Sequence, residues 1–298
     1  MMAPQESTDT RFLLGLGCQK GGTSWLYHYL SCHPNVDMGM LKEYHVLDLL
    51  YIPEFRKKYT ALLEEERQIQ CDQLNANHEI AKRIDFVKNV DNYFDYFTNI
   101  CKRNPNVFLT GDITPSYSAL SKNTLQFVKN QLIARNFAPR LVFIMRDPLE
   151  RCWSAVRMSR RAIGANPQSA ESARAEEQAV IQYAKSRACE IRTSYNVTCE
   201  RVMEVFSNDE FFFAFYEDFF SPSEIQRLAA FLEIKHTEPN LRTKKNASEK
   251  TSVLSNAAQM FIVNQYQHIY RWAIDTWGQD KIVKIWPSAQ LYLNTTDF

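Results

Sequence analysis

Long apolar runs are what this chain lacks first. Its amino terminus holds no stretch of signal-peptide or membrane-span length, and the first apolar segment is short, ending in Gly15-Leu-Gly17. The expectation is a cytoplasmic protein with no membrane span. Charge of one sign is also lacking: a net charge of +1 excludes a strongly basic protein, and with it global attraction to nucleic acid, while leaving room for local basic clusters. The 7 cysteines are scattered, with no C-x-x-C pair and no Cys/His spacing of a zinc site. Free thiols in a reducing compartment and no bound metal are therefore expected. Internal repeats and low-complexity tracts are absent too. What remains is a chain of 298 residues, 45% hydrophobic, long and apolar enough to bury a substantial core as one α/β domain spanning 1–298.

The most informative segment is Phe12-Leu-Leu-Gly-Leu-Gly-Cys-Gln-Lys-Gly-Gly-Thr-Ser-Trp-Leu26. An apolar strand runs into a glycine-rich turn carrying Lys20 and then into a helix, which is the anatomy of a phosphate cradle. Gly21 and Gly22 let the backbone approach an anion, the helix start offers unpaired N–H groups, and Thr23 and Ser24 add hydroxyls. A Walker loop places its lysine after the last glycine. Here Lys20 precedes both glycines, so a Walker-type NTPase is disfavoured. A tight strand–helix connection would have a similar composition, so a second anion-binding signature has to decide.

That signature is Arg140-Leu-Val-Phe-Ile-Met-Arg-Asp-Pro-Leu-Glu-Arg-Cys-Trp-Ser154. The apolar run predicts a buried parallel strand, Pro148 suits the first turn of a following helix, and Asp147 suits its cap. Arg146 then stands at the carboxyl end of a strand, where open α/β sheets bind ligands. Its planar fork suits a phosphate, and Ser154, two helical turns on, adds a hydroxyl. A surface arginine pairing with Asp147 or Glu150 is the bland alternative, better suited to Arg151 than to Arg146.

Together these residues give a family resemblance. Lys20-Gly-Gly-Thr-Ser-Trp25 resembles the 5′-phosphosulfate loop of sulfotransferases that use 3′-phosphoadenosine 5′-phosphosulfate (PAPS), and Arg146 through Ser154 resembles their 3′-phosphate motif. The likeness runs from about Phe12 to the loop near Lys250. It implies a central, mainly parallel sheet flanked by helices in a P-loop-like fold, with PAPS as donor, 3′-phosphoadenosine 5′-phosphate as product, and no metal. Cofactor contacts are implied for Lys20, Gly21, Gly22, Thr23, Ser24, Trp25, Arg146 and Ser154.

A third segment, Leu41-Lys-Glu-Tyr-His-Val-Leu-Asp48, is similar to the K-E-x-H stretch of the heparan-sulfate-type branch, near which the bacterial sulfotransferases also fall. The resemblance makes Glu43 the general base for an acceptor hydroxyl, with Lys42 and His45 beside it. Sulfuryl transfer needs an in-line nucleophile, a base for its proton, and cations where charge develops, for which Lys20 is the natural choice. A solvated charged face is the alternative for Lys42 and Glu43. His45 stands equally as base, substrate ligand or support.

Val107 to Tyr117 predicts another strand, turning polar at Asp112 and breaking at Pro115. It resembles a family stretch E-K-[ST]-P-x-Y in which Ile113 replaces the lysine, which counts against a highly sulfated glycosaminoglycan acceptor. Asp112 binds an acceptor, orients a catalytic group or caps the turn. Glu210 to Phe220 predicts a buried strand and an acidic turn, then a helix from Pro222 through Leu232. The basic stretch from Arg242 to Lys250 predicts a loop within roughly 240–253. In sulfotransferases a late basic loop covers the nucleotide, so Lys244, Lys245, Asn246, Ser248 and Lys250 are cofactor candidates, a solvated charged loop being the alternative.

Residues Ile52 to Phe97 are charged and helical in character, so a lid or acceptor-binding insert is expected over roughly 52–104. Residues 160–192 are similarly helical, broken by Gly164, Asn166 and Pro167. The leading expectation is a PAPS-dependent sulfotransferase acting on a small-molecule or carbohydrate acceptor. A P-loop kinase or NTPase, with Asp112 or Asp147 on magnesium, and a non-catalytic nucleotide-binding protein are the rivals. Aromatic residues at 13% of the chain do not separate a sugar from a phenol, lipid or small alcohol, and oligomeric state is not encoded.

Overall fold

A computed structural model describes residues 10–55, 57–61, 64, 78–164, 170–237 and 253–296. Lys244, Lys245, Asn246, Ser248 and Lys250 lie outside the described residues, as does most of the predicted late loop. Four short strands form one sheet: β1 (Thr10–Gly17), β2 (Leu109–Ile113), β3 (Phe137–Met145) and β4 (Phe211–Phe215), in the order β2-β1-β3-β4. All three pairings are parallel. The architecture is α/β, as expected.

Apolar side chains on successive residues of β1 and β3 face opposite sides, because a strand repeats every two residues. Phe12, Leu14 and Leu16 of β1, with Leu141, Phe143 and Met145 of β3, enter one core layer. Leu13, Val142 and Ile144 enter the other. Helix Thr23–Ser31 and helix Pro222–Leu232 cover the second face with Leu26, Leu30, Ile225 and Leu228. The larger first layer is built from helices Val90–Arg103, Lys122–Ala134, Pro148–Ala162 and Tyr195–Val205, together with the helices after residue 255. Burial on both faces explains the apolar runs of β1 and β3, whereas β2, Leu-Thr-Gly-Asp-Ile, buries Thr110 and Asp112 as well.

Strand order sets the place where a ligand fits. β1 sends the chain to β2 on one side, whereas β3 sends it to β4 on the other, so the crevice between the carboxyl ends of β1 and β3 is the topological switch point. The Lys20 loop leaves β1 and the Arg146 turn leaves β3. Sequence reasoning placed both correctly.

Pro148 and Asp147 also sit as expected, Pro148 opening its helix and the Asp147 carboxylate accepting from Leu149 N at 3.0 Å. Less expected is how much else converges on Asp147. The Tyr270 hydroxyl donates to it at 2.8 Å and Ser288 N at 3.1 Å, tying the carboxy-terminal helices to the turn after β3. Arg151 departs from the surface pairing considered for it: the side chain is wholly buried and donates to Thr193 Oγ1 and Cys189 Sγ, each at 2.7 Å.

Replacing Asp147 with alanine removes a helix cap and leaves the buried Tyr270 hydroxyl without its acceptor. A loss of about 3 kcal/mol is expected from those two terms, read as a lower urea midpoint at unchanged slope. An unchanged midpoint would show that the cap and the Tyr270 bond carry no net stability.

Candidate active site

The loop after β1 is shaped by close approach. A Cβ on Gly21 would lie 2.7 Å from the Ile144 carbonyl oxygen, and Gly22 precedes the helix at φ 87°. Lys20 itself adopts φ 71°, a left-handed conformation that costs a non-glycine residue energy and clusters at functional sites. Arg146 Nη1 donates to the Lys20 carbonyl at 2.9 Å, which ties the two predicted grips together. Tyr195 supports both from below, its hydroxyl donating to Arg146 O at 2.9 Å and meeting Cys18 Sγ at 3.6 Å.

The electrostatics are those of a site made for an anion. Helix Thr23–Ser31 begins with no acidic residue in its first turn, so its positive end is unopposed. Among the described residues no carboxylate pairs with Lys20; its Nζ contacts Met158 Sδ at 3.6 Å. Burial, then Arg146, Arg161, Arg157 and Lys42, push its pKa down to about 8. The Arg146 guanidinium stacks 4.3 Å from the Tyr216 ring centroid and stands 3.6 Å from Glu150. The pairing with Glu150 considered for this residue is thus present beside its contact with the loop. Arg146 Nε remains buried without a partner. Ser154 is buried on the same helix, whereas Trp25 is occupied in packing, stacked on Tyr29 at 5.2 Å and edge-on to Phe219 and Phe220. Thr23 and Ser24 open the helix beside Gly22.

Glu43 and His45 belong to one charge network. Glu43 accepts from Lys42 on one oxygen and lies 3.3 Å from His45 Nε2 on the other. His45 Nδ1 meets Asp48 Oδ2 at 2.7 Å, and Ser116 donates to that same oxygen. Burial alone would raise the Glu43 pKa, but His45 and Lys42 outweigh it and hold the carboxyl at about 2. For His45, burial opposes the charge, and the hydrogen bonds to Asp48 and Glu43 overcome it, raising the pKa to about 9. At neutral pH the pair is a carboxylate and an imidazolium, so only Glu43 is in the state of a base.

The backbone carrying this network is pinned from two sides. Arg83, from helix His78–Lys88, donates through Nε to Tyr44 O at 2.8 Å and through Nη2 to Glu43 O at 3.1 Å. From the end of β2, Asp112 accepts Tyr44 N at 3.4 Å, Thr114 Oγ1 accepts His45 N at 3.4 Å, and the Tyr117 hydroxyl accepts the amides of Val46 and Leu47. Asp112 is fully buried and also accepts from Thr114, Tyr117 and Tyr93 at 2.6, 2.7 and 3.0 Å. Burial raises its pKa to about 6. Every acceptor position of Asp112 is engaged within the protein, so it orients the Glu43 segment and has no oxygen left for an acceptor molecule. His45, at φ 54°, is the strained point that this scaffold holds.

Two residues escaped sequence reasoning. Arg83 had no signal beyond its place in a charged helix. Arg157 had one, its position three residues after Ser154 on the same helix. Among the described residues no cluster of three or more His, Cys, Asp and Glu is placed to hold a metal ion, and no helix is long and apolar enough to cross a membrane.

Comparison with known proteins agrees with this geometry. A family model described as a sulfotransferase domain matches residues 10–277. No curated protein matches the chain. Among solved structures, a sulfotransferase from Alicyclobacillus acidocaldarius matches with TM-score 0.54 and 14% identity, covering 89% of this chain and 94% of that one. A sulfotransferase domain from the olefin synthase of Synechococcus PCC 7002 gives TM-score 0.46 and 14% identity over 90% and 98%. The likeness at 0.54 is one of fold.

Because the pKa of His45 is raised in the folded state from an ordinary value of 6.5 to about 9, its contribution is fully present below pH 6.5 and lost as pH rises through about 9. The unmodified protein should lose stability across that window, and His45→Gln should flatten the loss, as followed by urea unfolding at stepped pH. Parallel curves would show that the charged pairing of His45 with Glu43 and Asp48 carries no net stability.

Proposed function

The chain belongs to the sulfotransferase family, and from that premise we propose that it moves the sulfuryl group of PAPS onto the hydroxyl of a small-molecule or carbohydrate acceptor, with Glu43 as base. The observation that carries the reading is the meeting of Lys20 and Arg146 at the switch point, joined by the 2.9 Å bond from Arg146 Nη1 to Lys20 O. A polyanionic donor fits this set of groups. The cradle offers a helix start free of acidic residues, a lysine with no carboxylate partner among the described residues, and buried guanidinium N–H groups of Arg146 and Arg157 with nothing to bond. Unmet buried donors of this kind are rare in native proteins.

The donor, when bound, supplies an activated sulfuryl group and a stable phosphate leaving group. Lys20 and the N–H groups after Gly22 would neutralise charge on the bridging and sulfuryl oxygens, where it develops during displacement. Arg146 and Ser154 would hold the 3′-phosphate, and a planar guanidinium suits that geometry. Glu43 would take the acceptor proton, held in place by His45 and by the Asp112 scaffold. At about 2 its free-enzyme pKa is low for a base. Drawing Lys42 toward the donor's oxyanions removes one of the interactions responsible, so the base strengthens once the donor is in place.

Magnesium-dependent phosphoryl transfer fits less well. Asp112 and Asp147, the carboxylates it would use, are both fully buried and engaged with protein donors. The cytoplasm and a role for the loop around 240–253 over the nucleotide stay part of the proposal.

A labelled-sulfate transfer assay against mixed hydroxyl and amine acceptors, with the product identified by mass, tests the activity. Lys20→Ala and Glu43→Gln should each cut kcat about a hundredfold or more, while Arg146→Ala should chiefly raise the donor KM. Full turnover in the Glu43 variant would remove it as base. Donor affinity should fall as pH rises through about 8, where Lys20 loses its proton, and Lys20→Arg should abolish that dependence; a persistent fall would assign it to another group.

A further inference from the structure

Arg157 sits on helix Pro148–Ala162 three residues after Ser154, so the two share a helix face. It is only 8% exposed, and its guanidinium lies 4.7 Å from the Trp153 ring centroid. Its Nε and Nη1 are buried without hydrogen-bond partners, and among the described residues no other side chain has two such atoms. The nearby acids are engaged elsewhere: Glu176 accepts from Trp153 Nε1 at 2.5 Å, and Glu150 lies 3.6 Å from Arg146. Burial disfavours its charge, and the attraction of Glu150 and Glu176, larger than the repulsion from Arg146 and Arg161, does not make up that cost. A buried cation with two unmet donors is built for an anion that arrives from outside.

We propose that Arg157 is a donor-specificity residue, closing with Arg146 and Ser154 on the terminal 3′-phosphate. The inference rests on the donor reading given above. Two observations select that phosphate over an anion on the acceptor. Arg157 shares the face of Ser154, and Arg146, the grip assigned to the same phosphate, is among the charges that act on it. Charge balance asks for a further cation as well. A terminal phosphate ester carries a charge of about −1.5 to −2 at neutral pH, whereas Arg146 shares its own charge with Glu150 at 3.6 Å and Ser154 is neutral. Arg157 makes up the difference. The consequence is selectivity: the site rewards a dianionic 3′ substituent and disfavours a nucleotide with a bare 3′-hydroxyl, because the latter leaves the buried guanidinium unpaired.

The test is calorimetric titration with adenosine 3′,5′-bisphosphate and with adenosine 5′-monophosphate, using the unmodified protein, Arg157→Gln and Arg157→Lys. The unmodified protein should prefer the bisphosphate. Arg157→Gln should weaken the bisphosphate roughly ten- to hundredfold, the span expected for losing charge-assisted hydrogen bonds, while leaving the monophosphate within about twofold. Arg157→Lys should recover part of the preference. The melting temperature of the ligand-free Gln variant should hold or rise, since a buried charge with two unmet donors has gone, and this also verifies that the variant folds. Equal loss for both nucleotides, or no loss for either, overturns the assignment. In the second case, a raised acceptor KM would place the anion on the acceptor. If the unmodified protein binds no bisphosphate, the donor reading falls and this inference with it; binding with unchanged selectivity in the variant overturns this inference alone.

Discussion

The hydrogen bond from Arg146 Nη1 to the Lys20 carbonyl is where the sheet's topology becomes chemistry. Parallel strands β1 and β3 are neighbours whose chains leave in opposite directions, so their two carboxyl-end loops face each other over a crevice. The ladder between them continues past the strands, since Cys18 N donates to Ile144 O at 2.8 Å. Tyr195 then bridges the loops through its hydroxyl. Two cationic side chains are held close in this way despite their repulsion, because the backbones that carry them are bonded to each other and to the side chains of Arg146 and Tyr195. Separate the loops, and neither grip is placed for the same ligand.

Glu43, the proposed base, arrives from a different direction, and its placement is a backbone matter. Lys42 to Val46 form no regular element ahead of the short helix at Leu47–Tyr51, and an irregular segment cannot fix a carboxylate unaided. β2 supplies the rigidity. Its last residues deliver Asp112 and, just beyond, Thr114 and Tyr117, which among them accept the amides of four consecutive residues from Tyr44 to Leu47. Arg83 takes the carbonyls of Glu43 and Tyr44 from the opposite side. Three neighbouring strand ends thus converge, with β1 and β3 contributing cations and β2 contributing the platform for the carboxylate.

The sheet was legible because β1, β3 and β4 carry apolar runs, and because Gly21-Gly22 and Asp147-Pro148 punctuate two of the ends. Lys20, Arg146 and Ser154 followed from those runs, since a polar residue just past a buried strand has few other reasons to be there. Glu43 was reached only through resemblance; K-E pairs are common, and nothing in their spacing announces a network with His45 and Asp48. Asp112 was legible as polar, but its function was not, because four donors from separate segments converge on it and sequence does not show convergence. The same holds for Arg151, which reads as a surface partner for Glu150 yet lies wholly buried against Thr193 and Cys189. The carboxy-terminal helices are tied in through Tyr270 and Ser288, whose targets lie more than a hundred residues away.

The site and its scaffold divide the energetics between them. Lys20 and His45 hold left-handed backbone conformations that each cost about 1–3 kcal/mol, Arg157 carries unmet donors, and the cations around Lys20 repel one another. All of these lower the stability of the free protein. The satisfied networks at Asp112 and Asp147 work the other way and sit one layer beneath, where they touch no ligand. An anion entering the crevice relieves repulsion and unmet hydrogen bonding together. It does so most where the charge is densest, so the electrostatics of the crevice favour a polyanion over a neutral molecule. On the proposed reading the same event would draw Lys42 from Glu43, so that a carboxylate held at about 2 in the free protein would gain basicity when the sulfuryl group is at hand.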